Sequence, residues 1–224
     1  MNNNTLKKLS TVLIAIGIVN LIAAVIFVLT LPDTVPVHFN ASLVCDRVGS
    51  KWNGLIAPVL IAIVFPICLL FEGKGKNAEK NAKPLTIFLS FIDIMLIAVC
   101  WFVLFSMKSN ITVGEKLSNN FDFLIPLITG LMLVVIGNYL PTVRQNKTLG
   151  IKLPWTLKNE KCWDKTHRFS GKLYVILGLL IIAATFALKL CGITTFVPYV
   201  AILLIMPALS VIIPSIYAYN HRND

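Results

Sequence analysis

Long apolar runs alternate along this chain with polar gaps, and each run predicts a helix able to cross a lipid bilayer. The runs are Leu9 to Leu31, Leu55 to Phe71, Leu85 to Met107, Phe123 to Leu140, Leu173 to Leu190 and Phe196 to Tyr219. Each is close to the roughly 20 residues that a helix needs to traverse the hydrocarbon of a membrane. A soluble core helix has no use for that length. The pattern predicts an all-α integral membrane protein with six transmembrane helices. It divides into an N-terminal half, 1–110, with a long loop at 32–53, and a C-terminal half, 111–224, with a long loop at 141–172.

Basic residues give the orientation. Fifteen of the twenty Lys and Arg residues fall in the N-terminus, the second and fourth connections and the C-terminus. The other side holds Arg47, Lys51, Lys108, Lys116 and Lys189. Positive charge is retained in the cytoplasm, so both termini are expected there, with the 32–53 loop outside and the 141–172 loop inside. The first run follows two lysines as a signal peptide would, yet continues for 23 residues without a small-residue cleavage site, and it reads as a retained span.

Composition agrees, with 57% hydrophobic and 13% charged residues against about 25% charged in an ordinary soluble domain. A formal charge of +10 is of the sign that nucleic acid attracts. The excess flanks the spans, however, where anionic lipid headgroups are the ordinary partner, and no direct nucleic-acid binding is expected. Of the five cysteines, Cys68 and Cys100 lie within apolar runs as packing residues. Cys45 and Cys191 both fall toward the outer side, but their spacing matches no disulfide motif. Cys162 belongs to the inner loop and is expected to be reduced.

The two long loops carry the chemistry. In the outer one, Pro32 and Pro36 end the first helix and hold the chain extended. Val35 to Phe39 alternates so as to form a short strand at the outer mouth. Candidate ligand-facing residues there are Asp33, Pro36, His38, Asn40, Asp46, Arg47 and Lys51. Asp33, His38 and Asp46 are the nearest approach to a metal or proton-handling group. The spacing is not that of a metal site, so no metal and no cofactor are assigned.

In the inner loop, Gly150 and Pro154 punctuate the chain, and Thr156 is placed as the N-cap of a helix reaching about Phe169. Glu160, Trp163 and His167 share one face of that helix; Lys161, Lys165 and Arg168 fall on another. Such a helix suits the lipid headgroup layer, with Trp163 as anchor. It also suits a docking surface for a cytoplasmic regulatory protein, with Trp155, Trp163 and Arg168 as anchors. Asn146, Gly150, Pro154, Thr156 and His167 complete this candidate group. Within the spans, Asp93 is the acidic residue deepest in apolar sequence, and Asn138 is a polar residue in another span. Intramembrane carboxyls are expensive and mark either a pathway or a necessary partner.

Asp46 to Trp52 entering the second run and His167 to Leu173 entering the fifth correspond in position. With three spans per half, the copies would be antiparallel, giving a 3+3 inverted repeat of the kind transporters use.

The outer stretch Leu31-Pro32-Asp33-Thr34-Val35-Pro36-Val37-His38-Phe39-Asn40, with Asp46-Arg47 and Gly49-Ser50-Lys51, resembles the N-terminal domain of unknown function of bacterial SdpI-like membrane proteins. Gly137-Asn138-Tyr139-Leu140-Pro141, Asn146, Gly150-Ile151-Lys152-Leu153-Pro154-Trp155-Thr156-Leu157 and Trp163-Asp164-Lys165-Thr166-His167-Arg168 resemble that family's C-terminal signature. The resemblance spans nearly the whole chain in the right order. It departs where the family usually has a glycine before the Asp-Arg pair, since Leu43-Val44-Cys45 stands here. The resemblance implies a multi-pass cell-membrane protein giving immunity against a secreted antimicrobial peptide, with a linked signalling role.

The reading is therefore a non-enzymatic protein binding a peptide toxin outside and a regulatory protein inside. No nucleotide-binding, nucleophile-elbow or paired-His motif accompanies it. The alternative is a transporter of a small molecule or peptide that uses Asp93 and proline-broken helices.

Overall fold

The computed structural model describes residues 3–40, 42–69, 77–109, 111–117, 121–193 and 196–224. Among the described residues seven α-helices are formed: α1 Asn3–Leu29, α2 Ile56–Leu69, α3 Ala78–Met107, α4 Phe121–Tyr139, α5 Pro154–Lys158, α6 Glu160–Leu190 and α7 Phe196–Asn220. Two strands, β1 Thr34–Phe39 and β2 Cys45–Ser50, pair as an antiparallel hairpin. Among the described residues α1, α3, α4, α6 and α7 are long and apolar enough to cross a membrane. The protein is an all-α membrane protein with a small β hairpin added. The second apolar run forms α2, whose 14 residues fall short of that length, and its last two residues, Leu70 and Phe71, lie outside the described residues.

The chain forms two compact units. Unit 1 comprises Met1–Phe71 and Leu89–Phe121. Its core joins Ala24, Val28 and Leu31 at the end of α1 to Ile61 of α2 and to Cys100, Leu104 and Met107 of α3. Ala24 and Val28, one turn apart on α1, mark its buried face while the rest faces lipid, and Leu31 joins them just past the helix end. Asn20 on that side accepts a hydrogen bond of 2.9 Å from the Trp101 indole, satisfying a buried N–H inside the bundle. A 3-10 turn, Lys51–Leu55, leads from β2 into α2. A Cβ on Gly54 there would stand 2.9 Å from Leu104 and 3.2 Å from Val28, so only glycine lets the turn sit on the core.

Unit 2 comprises Glu72–Phe88 and Asp122–Asp224. Here α4 and α6 approach backbone to backbone. A Cβ on Gly130 would lie 2.9 Å from the carbonyl oxygen of Gly178, and one on Gly137 would lie 2.6 Å from that of Gly171. The glycines are seven apart on each helix, two heptad-spaced pairs facing each other in antiparallel register. Small residues let membrane helices come close enough for extensive van der Waals contact, which is the main force between them once water is absent. Leu133, Leu177 and Ile181 fill the rest of this core, with Met206 and Leu209 of α7 packed on it.

Several expectations change. Asn159, not Thr156, caps the long inner helix: its side chain accepts from the N–H groups of Lys161 at 2.9 Å and Cys162 at 3.2 Å. Thr156 instead stands within the separate short helix α5. The expected interfacial helix ending near Phe169 is the opening of α6, which runs unbroken to Leu190. The sequence there offers no break, because Gly171 is held in the helix by its packing on Pro141 and Gly137. At the far end, Gly192 at φ +68 closes α6, with N–H groups of Gly192 and Ile193 bonded back to Lys189 and Leu188, the reversal that glycine permits.

The helices are not broken by proline either. α4 continues through Pro126, and α7 through Pro207 and Pro214. The carbonyl of Pro207 accepts a 2.7 Å bond from the Ser210 hydroxyl. Asp46–Ser50 is strand where His167–Leu173 is helix, so the matched sequence segments do not share a conformation. Among the described residues Cys45, Cys100, Cys162 and Cys191 are free thiols.

Candidate functional site

In unit 1 the loop after α1 folds into the hairpin because each of its ends is tied down. Pro32 stops α1, and Lys51 bridges back, its ammonium 3.0 Å from the Asp33 carboxylate and 3.3 Å from the carbonyl oxygen of Leu31. The backbone N–H of Lys51 also donates to the Asp33 carbonyl, 3.1 Å away. Val35 is paired with Gly49, Pro36 with Val48 and His38 with Arg47. A Cβ on Gly49 would stand 3.1 Å from Val37, so the glycine lets the strands lie close there.

The hairpin turn is built by Asn40. Its side-chain oxygen accepts from the N–H groups of Ser42 at 2.9 Å and Val44 at 3.1 Å, an Asx arrangement that mimics a backbone turn. Leu43 then takes φ +59. That is the left-handed region glycine favours, and it falls where the family pattern has glycine before the Asp-Arg pair. Burial holds the leucine there, since only 8% of it is exposed. Its carbonyl accepts the N–H of Leu117 at 2.8 Å, and the N–H of Cys45 donates to Glu115 at 2.9 Å. Residues 111–117 thus run along the start of β2 as a third, irregular edge, with a bridge between Val44 and Lys116.

His38 and Asp46 face each other across the hairpin, imidazole Nδ1 donating to the carboxylate oxygen at 2.6 Å. Both remain substantially exposed. Asp33 is engaged by Lys51 instead, so the three expected acid and imidazole groups separate into two pairs. Among the described residues no three metal-ligating side chains converge. Asn40 and Arg47 are exposed and Pro36 is buried in β1. The hairpin thus presents a polar, mixed-charge surface with the exposed Trp52 and Val48 beside it.

In unit 2 the loop after α4 wraps around two aromatic rings. The Trp163 indole donates to the carbonyl of Val143 at 2.8 Å. His167 Nε2 accepts the N–H of Ile151 at 3.0 Å while Nδ1 donates to the Trp163 carbonyl at 2.8 Å. Those contacts select the neutral tautomer with the proton on Nδ1. Gly150, at φ +110, crosses directly above both rings, where any side chain would collide with them. Asn146 accepts from the N–H groups of Thr148 and Leu149, each at 2.7 Å. Thr156 accepts from the N–H of Leu153 at 2.9 Å and lies 2.8 Å from the carbonyl of Ile151.

Trp163 is wholly buried and His167 is 1% exposed, so both are frame for the loop and unavailable to lipid headgroups or a partner. Pro154, opening α5, and Arg168, on α6, are exposed, and Trp155 is half-buried with its ring edge-on to Tyr219 at 5.5 Å. Lys165 pairs with Asp224 at 2.8 Å, and this hydrogen bond holds the Asp224 carboxyl below the usual carboxylate range.

Sequence reasoning overlooked the clamp on this loop. Asn81 of α3 grips Arg144 through both main-chain groups, donating to its carbonyl at 2.9 Å and accepting its N–H at 2.7 Å. Asn77 donates to the Gln145 carbonyl at 3.0 Å, and Gln145 reaches the Thr156 carbonyl at 2.8 Å. Asn77 and Asn81 are one helical turn apart, which was the available signal. Of the intramembrane residues, Asp93 is fully buried in unit 1, whereas Asn138 is exposed near the end of α4.

Comparison with known proteins matches residues 142–218 to the SdpI/YfhL protein family and residues 15–63 to a domain of unknown function, DUF1648. The first match covers the wrapped loop and α6 into α7; the second covers α1, the hairpin and the start of α2. The Immunity protein SdpI of Bacillus subtilis (strain 168) is 24% identical over 214 residues, 96% of this chain and 96% of that protein. No solved structure matches significantly.

Proposed function

We propose that this chain, which matches the SdpI/YfhL protein family over residues 142–218 and resembles an immunity protein along its length, is a non-enzymatic immunity protein of the cell membrane whose hairpin binds an antimicrobial peptide at the outer surface. The observation that carries the reading is the full-length similarity to an immunity protein, with the hairpin lying inside the matched N-terminal region. The hairpin offers what an extended peptide needs. Its exposed polar face can meet the main chain of an extended peptide, and the His38–Asp46 and Asp33–Lys51 pairs supply charges of both signs beside the apolar Trp52.

Orientation follows from the basic residues. With α2 as a short second crossing, the chain crosses six times and both termini are cytoplasmic, the hairpin outside and the 141–172 loop inside. The inner loop is then the side for a regulatory protein. Trp163 and His167 hold its shape, and Arg168 with the exposed part of Trp155 form the contact face. The relative's name speaks for immunity, so transport is not carried forward.

The test is survival. Peptide-sensitive cells expressing the chain are challenged with a panel of secreted membrane-active peptides, alongside cells expressing Asp33→Ala or His38→Ala at equal membrane abundance. Protection against one peptide, lost in both variants, is the expected result. Protection unaffected by the substitutions would remove the hairpin from the reading, and sensitivity to every peptide would remove immunity.

A further inference from the structure

Unit 1 contains a second chemical feature that the hairpin does not use. Asp93, about midway along α3, is 0% exposed, and among the described residues neither of its carboxyl oxygens has a hydrogen-bond partner. It stands in the wall of a cavity of about 350 Å³ between α2 and α3, whose other walls are aliphatic, chiefly Leu60, Ile61, Leu96, Val99 and Val103. That volume falls within the roughly 300–1,000 Å³ of small-molecule sites, which are mostly apolar with a few placed polar groups. A second cavity of about 540 Å³ shares Ala57, Cys100 and Val103 with the first and continues to Gly49 and Asn53 beside the hairpin.

A carboxyl group in such a place must be matched. Buried polar groups in proteins are hydrogen-bonded in the great majority of cases, and an ionisable group inside a membrane pairs with a counter-charge or marks a binding pathway. Among the described residues the walls offer Asp93 only aliphatic groups and the weakly donating Cys100 thiol. A ligand able to match it needs N–H groups to donate, positive charge to complement the carboxylate, and an apolar body to cover the walls. An anionic amphiphile brings a second acidic group to the same place, and a neutral one brings no counter-charge for a carboxylate.

We propose that the α2–α3 cavity is a binding site for a lipophilic amine, its ammonium group donating to the Asp93 carboxylate and its single apolar chain lying along Leu60, Leu96, Val99 and Val103. The neighbouring cavity, walled in part by the same Ala57, Cys100 and Val103, lies on the side toward the hairpin. The site rests on the geometry of α2 and α3 alone and is independent of the immunity reading.

The experiment uses the full chain in phosphatidylcholine nanodiscs with tritiated dodecylamine near neutral pH, read as saturable retention above empty discs. Retention is expected in the native protein, displaced by unlabelled dodecylamine and not by dodecanol or dodecanoate. Asp93→Asn is expected to bind at least about tenfold more weakly, and Leu96→Trp, which fills the cavity while sparing the carboxyl, is expected to lose retention. Retention no greater than in empty discs, equal displacement by dodecanol, or unchanged binding in Asp93→Asn would each overturn the proposal. The dodecanol comparison is made on native protein, so it decides the matter even where a variant fails to fold. Loss of peptide immunity in cells would leave these results untouched.

Discussion

The indole of Trp163 stacks on the imidazole of His167, ring centroids 4.0 Å apart and 19° from parallel, and each ring is bonded to a different stretch of the same loop. Trp163 holds Val143 at the loop's beginning and His167 holds Ile151 in its middle. Two side chains four residues apart on α6 therefore set the path of a segment that would otherwise be free to rearrange. The loop's shape depends on buried rings, and of the expected anchors Arg168 and part of Trp155 remain exposed.

Truncating the pair should loosen the loop before it affects the spans. Trp163→Phe keeps an aromatic ring but strands the Val143 carbonyl, at a cost of about 1–3 kcal/mol. Trp163→Ala adds a large cavity and should cost about 3–5 kcal/mol. Limited proteolysis within 147–153 together with thermal unfolding in detergent checks both. Equal resistance in all three proteins would contradict the assigned role.

The glycine seam makes a sharper claim. Gly137→Ala places a methyl group 2.6 Å from a backbone carbonyl that cannot swing aside, and overpacking of this kind costs about 1–3 kcal/mol or more. Gly17→Ala in α1 meets only the Cα of Ala62, at 3.7 Å. It should be neutral or slightly stabilising, since alanine is the better helix former. Thermal midpoints of the two variants in one detergent decide the matter, and equal midpoints would mean that α4 and α6 do not meet at this seam.

At the hairpin turn, the usual order of substitutions should invert. Leu43 sits at φ +59, a conformation that glycine adopts without the penalty of about 1 kcal/mol or more borne by other residues. Both Leu43→Ala and Leu43→Gly lose the buried leucine, but the glycine variant should be the more stable by about 1 kcal/mol. Denaturation midpoints with the alanine variant ahead would show that the turn is not left-handed.

Much of this molecule is written locally and was readable. Pro32, Pro36 and the Val-His-Phe alternation predict β1 because strand and helix stop are set by neighbouring residues. β2 is harder to foresee, since Cys45-Asp46-Arg47-Val48-Gly49-Ser50 shows no apolar alternation and becomes a strand through its partner. The face shared by Trp163 and His167 follows from helical periodicity, but periodicity is silent on what covers a face. Lipid headgroups, a partner protein and the chain's own loop all leave the same imprint. The clamp of Asn81 on Arg144 links residues 63 positions apart, and no local signal marks it beyond the one-turn spacing to Asn77. Asp93 was legible as a costly residue. Its cavity was not, because the distance between α2 and α3 depends on packing along the whole of both helices.

Lys51 yields a prediction about the hairpin's attachment. It contacts both the Asp33 carboxylate and the Leu31 carbonyl, so Lys51→Met should speed hydrogen exchange in Thr34–Phe39 more than Asp33→Asn does. The reverse order would make the ion pair, and not the cap on the end of α1, the main tether.

The central claim is that the hairpin is an outward-facing peptide receptor, and photo-crosslinking in intact cells addresses it most directly. A benzophenone amino acid replaces Val48 on the hairpin in one variant and Lys147 on the inner loop in another, and cells are irradiated with the radiolabelled peptide against which the chain protects. Crosslinking at 48, competed by unlabelled peptide, with none at 147 is the predicted result. Crosslinking at 147 alone, or at neither site while protection persists, would contradict the account.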